Sequence, residues 1–181
     1  MSASTIPRRE ALQRVAWILG AAFTAEISAG LLGEILHIGQ RVAVTPETKA
    51  LLAEIAEVII PTTQTPGAKA AKAEEFVVRV IRDCHPYHEQ AEFYRELDQL
   101  KAECQKRFSK PFAELDPEQK REIVLHAAKN LKGFFQRMRA LTIAGYFSSE
   151  IGATQALEYL PIPGRFEGAV PMQPGQKAWA L

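Results

Sequence analysis

Residues 134–168, FFQRMRALTIAGYFSSEIGATQALEYLPIPGRFEG, carry the change from regular helix to irregular chain that decides how this protein is built. Phe134, Met138, Leu141, Gly145 and Ser149 recur at i, i+4, i+7, i+11 and i+15, which sets one stripe of side chains along one helical face. Phe135 and Tyr146 widen the stripe, and the helix is expected to fade out near Tyr159. A glycine costs about 1 kcal/mol of helix propensity relative to alanine, so Gly145 on that face predicts a backbone or ring packed closely against it. Beyond Leu160, Pro161, Pro163, Gly164, Gly168, Pro171, Pro174 and Gly175 exclude another long helix, while Phe166 and Trp179 still offer apolar area. Such a tail needs a surface to lie on.

Upstream, the same periodicity repeats. Thr45 and Pro46 open a helix as N-cap and N1, with Leu51, Leu52, Ile55, Val58 and Ile59 facing inward until Pro61 ends it. The following PTTQTPGA has the Pro, Thr and Gly content of an ordered loop. A second helix over 73–84 turns Phe76, Val77, Val80 and Ile81 inward, and Glu74-Glu75 in its first turn offset the macrodipole. After the break at His85-Pro86-Tyr87, Phe93, Leu97, Leu100, Cys104 and Phe108 mark the clearest amphipathic helix. Asp116-Pro117-Glu118-Gln119 reads as an N-cap, a proline at N1 and a capping-box glutamine. The helix it starts buries Ile123, Val124, Ala127 and Leu131, and Gly133 separates it from the 134–159 helix. No period-2 strand of any length competes, so the expected fold is all-α: a compact helical domain over 41–160, an N-terminal signal or anchor segment over 1–40, and an extended tail over 161–181.

The first forty residues carry Arg8-Arg9, then Arg14, then an uncharged apolar run over 15–25. That run fits the roughly 7–15 residues of an export signal and falls short of the ~20 a spanning helix needs. A paired arginine before a modest apolar run is the layout of a twin-arginine signal. Ser28-Ala29-Gly30 supplies small residues for cleavage; if the segment is retained, 15–38 can serve as a membrane-surface anchor. The formal charge of +1, with no basic block longer than a pair, argues against a nucleic-acid partner.

No G-x-G-x-x-G, C-x-x-C-H, G-x-S-x-G, H-E-x-x-H or Walker sequence occurs, so no cofactor site is expected in this chain and no residue stands out as catalytic. Cys84, His85 and His88, with Cys104 further on, are the one cluster that could hold zinc or copper. Pro86 inside it and Cys104 on an apolar face favour a structural reading. Continuity of the helix from about His88 also places Cys84 and Cys104 too far apart to bridge.

With Arg8-Arg9, the loop Ile59-Ile60-Pro61-Thr62-x-x-Thr65-Pro66-Gly67-Ala68, Lys110-Pro111-Phe112, and Gly145-Tyr146-Phe147-x-Ser149-Glu150-Ile151-Gly152-Ala153-Thr154 running into Pro161-x-Pro163-Gly164-Arg165-Phe166-Glu167-Gly168, the chain resembles the gluconate 2-dehydrogenase subunit 3 family over about 46–181. The resemblance implies a small, non-flavin subunit of a membrane-associated sugar or sugar-acid dehydrogenase of the glucose-methanol-choline type. FAD would reside in the large subunit, and haem c in a separate cytochrome subunit. It further implies a periplasmic complex at the inner membrane, in which this chain carries the signal read by the twin-arginine translocase and brings the flavoprotein out with it. Gly145, Tyr146, Arg165, Phe166 and Trp179 are the expected contacts with that partner. The alternative for the tail is that it folds back over its own helices; the alternative for the whole chain is a stand-alone periplasmic metal or redox protein using Cys84, His85 and His88.

Overall fold

The computed structural model describes residues 41–160, 162, 164, 171 and 174–180. Five α-helices follow in order: α1 (Pro46–Ile59), α2 (Ala73–Cys84), α3 (Tyr87–Phe108), α4 (Pro117–Asn130) and α5 (Lys132–Phe147). A 3₁₀ turn, Phe112–Glu114, precedes α4, and a π-helical turn, Gly152–Ala156, follows α5. Among the described residues the only β pairing is an isolated bridge between Glu158 and Trp179. The domain is therefore all-helical.

Two helix starts, those of α1 and α4, fall where the capping chemistry puts them. Thr45 accepts the Thr48 N–H at 3.1 Å, and Asp116 and Gln119 form the reciprocal capping box. Two ends differ from expectation. The break between α4 and α5 lies at Leu131, whose N–H closes on Ala127, and Gly133 sits inside the first turn of α5. At its far end α5 stops at Phe147 rather than near Tyr159, where serine side chains bond back to the last helix carbonyls: the Ser148 hydroxyl donates to Ala144 O at 2.7 Å, alongside the Ser148 N–H, and the Ser149 hydroxyl to Tyr146 O at 2.6 Å.

The core runs from Leu52 and Ile55 on α1 through Val77 and Ile81 on α2 to Phe93, Leu97 and Leu100 on α3 and Phe134, Met138 and Tyr146 on α5. Phe93 and Phe134 meet as tilted rings, 4.9 Å between centroids, and each such fully buried ring contributes about 1.5–3 kcal/mol. The neighbour that Gly145 requires is Phe76: a Cβ at Gly145 would lie 2.8 Å from the Phe76 Cβ. Gly145, late in α5, thus meets the start of α2. Arg137, early in α5, reaches Glu89 and Glu92 just beyond the end of α2, so the two helices run antiparallel.

Candidate partner-binding face

At the end of the domain where α5 finishes, the 60–68 loop is held from three sides. Glu57, in the last turn of α1, accepts the Thr62 N–H at 2.8 Å, the Thr62 hydroxyl at 2.7 Å and the Lys69 N–H at 3.0 Å. Thr62 Oγ1 in turn accepts the Gly67 N–H at 3.0 Å, and the Ala68 N–H closes the loop on Ile60 O at 2.9 Å. From α5, the Tyr146 hydroxyl donates to Pro66 O at 2.8 Å. This network leaves Pro61, Thr62, Thr63 and Gln64 exposed on a fixed backbone.

Past Phe147 the chain turns through the π-helical residues, with the Gly152 N–H donating to the Ser149 hydroxyl at 3.0 Å. The tail then returns: the Glu158 N–H donates to Ala178 O at 2.8 Å, the Ala180 N–H to Glu158 O at 2.9 Å, and Lys177 Nζ to Gln155 O at 2.5 Å. The described end of the tail therefore folds back on its own chain, yet it does not bury its apolar side chains. Trp179 is 52% exposed, Tyr159 56% and Ile162 83%, and Leu160 and Phe147 are exposed as well. Phe147 packs edge-on to Tyr146 at 5.1 Å, which ties part of this apolar surface to the locked loop.

Of the expected contact residues, Gly145 and Tyr146 are buried against α2 and the loop, Trp179 stands at the surface, and Arg165 and Phe166 lie outside the described residues, as do Arg8 and Arg9. The periodicity found Tyr146 but not Glu57, whose role depends on donors five and twelve positions downstream. Tyr159, Leu160 and Ile162 did leave a signal, an apolar run beside prolines that no helix can absorb.

Cys84, His85 and His88 do not converge. Among the described residues no three His, Cys, Asp or Glu side chains are placed to hold a metal ion. His85 Nδ1 is 2.7 Å from Glu89 Oε2, and that hydrogen bond, with Arg137 nearby, holds the Glu89 carboxyl below its usual range. Both cysteines are free: Cys84 is exposed, and burial pushes the Cys104 thiol up to about 11. A cavity of about 700 Å³ between α1 and the end of α3 is lined by Leu51, Glu54, Lys69, Lys101 and Phe112. Burial pushes the Glu54 carboxyl up, but hydrogen bonds from Lys120 and Lys69 outweigh it and keep Glu54 ionised. Among the described residues no helix is long and apolar enough to cross a membrane.

Fold and face together define, over the described residues, an all-helical domain that ends in a hydrogen-bonded loop beside exposed apolar side chains. The chain belongs to the gluconate 2-dehydrogenase subunit 3 family, whose model matches residues 46–164, stopping short of most of the tail. Membership implies a subunit of such a dehydrogenase complex. No curated protein and no solved structure gives a match to the chain.

Proposed function

We propose that this chain is a non-catalytic small subunit of an FAD-dependent sugar or sugar-acid dehydrogenase, which assists folding of the flavoprotein subunit and carries it through the twin-arginine translocase to the periplasmic side of the inner membrane. The observation that carries the reading is the exposure of Phe147, Tyr159, Leu160, Ile162 and Trp179, all at or beyond the last turn of α5. Exposed apolar side chains of this kind beside a well-packed core mark a binding surface, and aromatic anchors dominate interface energies. Redox chemistry then resides in the partners, with FAD in the large subunit and haem c in a cytochrome subunit.

The test is co-expression with the FAD-binding subunit followed by cell fractionation. Both chains should co-purify from the periplasm or inner membrane. Changing Arg8→Lys together with Arg9→Lys should retain both in the cytoplasm, since a twin-arginine signal depends on the guanidinium pair beyond its charge. Undiminished periplasmic accumulation of the double variant would refute the export role; failure of the wild-type chains to associate would refute the subunit role.

A further inference from the structure

We propose that the outward face of α5 extends the contact with the catalytic subunit, and that the surface it meets carries carboxylates beside an apolar patch. This rests on the reading of the chain as a subunit of that complex. Lys132, Gln136, Arg139, Ile143 and Phe147 follow one another at i, i+4, i+7, i+11 and i+15, so they share one helical face, and all of them are exposed. The face is divided along its length. Its first half is cationic, and its second half is uncharged, with Ile143 36% and Phe147 39% exposed.

The fold does not use these cations. No acidic residue occurs between Glu122 and Glu150, and among the described residues neither the Lys132 nor the Arg139 side chain has an ion pair or hydrogen bond. Arg137 is the contrast, since it pairs with Glu89 and Glu92 at 3.8 and 3.7 Å. Lys132 stands at the first position of α5, in a first turn without an acidic residue, where the helix dipole disfavours positive charge. Glu96 of α3 approaches that turn at Gly133 and does not pair with Lys132. Local stability therefore does not account for a lysine there, whereas an opposing negative surface does. A lipid headgroup layer meets the charge requirement but not the apolar one. Membrane-surface helices bury a broad apolar face, and beside Ile143 and Phe147 this one offers Ala140 and Ala144. A protein partner meets both requirements, and Phe147 already belongs to the exposed apolar set assigned to that partner.

The experiment uses the full chain and the co-expressed FAD-binding subunit. Changing Lys132→Glu together with Arg139→Glu should weaken association about tenfold or more. Added salt should weaken the wild-type complex more steeply than one formed with Lys132→Gln and Arg139→Gln. Neither side chain is paired within the chain, and Lys132→Glu places an acid at a helix start, so the charge-reversed chain should melt no lower than the wild type. That separates a lost contact from a lost fold. In the complex, a zero-length carbodiimide should join the Lys132 amine to an Asp or Glu of the catalytic subunit, read by mass spectrometry. Unchanged affinity of the charge-reversed chain overturns the proposal and leaves the subunit reading intact. So does Lys132 cross-linked to a second copy of this chain, or a variant that loses binding to phosphatidylglycerol vesicles while keeping its affinity for the catalytic subunit. Absence of any wild-type complex overturns the subunit reading and this contact with it.

Discussion

Glu74 and Glu75 occupy neighbouring positions in the first turn of α2, and their surroundings separate them completely. Glu75 is exposed and pairs with Lys49 at 2.8 Å, whereas Glu74 is buried with no hydrogen-bond partner for Oε2. Burial pushes the Glu74 carboxyl above its usual range, and the charge of Glu75 adds to the shift. A carboxyl whose folded-state pKa is raised binds its proton more tightly in the folded chain. Its contribution to stability is therefore complete below the unfolded value of 4.5 and is lost as pH rises through the folded value. Glu74→Gln should accordingly gain stability relative to the wild type as pH is raised from 4 to 8, read as a widening difference between the two melting temperatures. A constant difference would show that Glu74 is not the titrating group. The sequence placed both acids at the start of a helix and could not distinguish them, because which one is covered depends on how α1 and α5 pack over α2.

At the scale of elements, the helices were legible wherever apolar spacing met a cap or a proline break: α1, α3 and the start of α4 lie where Thr45, Pro86 and Asp116 place them, and α2 follows its apolar spacing alone. The end of α5 was not. Ser149 continues the helical period of Phe134 and Met138, so periodicity alone carries the helix on, while the serine hydroxyls compete locally for the carbonyls that would sustain it. Gly152 makes the turn that results. A Cβ there would overlap the Tyr146 carbonyl oxygen and crowd the Phe147 Cα, backbone atoms that cannot swing aside as a flexible side chain would. Gly152→Ala should cost about 1–3 kcal/mol, the usual range for overpacking, and lower the melting temperature by about 2–4 °C per kcal/mol in a chain of this size. An unchanged melting temperature would mean that the π-helical turn is not required. The close approach at Gly145 was foreseeable from its position on an apolar face; the one at Gly152 was not, since it depends on a bend the periodicity hides.

For the molecule as a whole, the two ends of α5 have different work. Near its beginning lies the corner between α2 and α3, where Gln90 donates to Arg82 O at 3.1 Å and His85 O at 2.9 Å and accepts the Val42 N–H at 3.2 Å, while Arg41 lies 3.5 Å from Asp83. Arg41 and Val42 are thus tied to one end of the domain. Sixteen helical residues, about 24 Å at 1.5 Å each, separate that corner from the locked loop and the returning tail. Among the described residues the buried apolar core extends from Leu52 to Tyr146 and includes none of the tail, which bears on what truncation should do. A chain ending at Leu160 loses the bridge to Glu158 but, among the described residues, none of the side chains that fill the core. It should retain its helical circular dichroism and melt within a few degrees of the full chain, yet fail to co-purify with the FAD-binding subunit. Loss of helical signal would place the tail within the domain's own stability, and retained association would move the partner's contact to the 60–68 loop and Phe147.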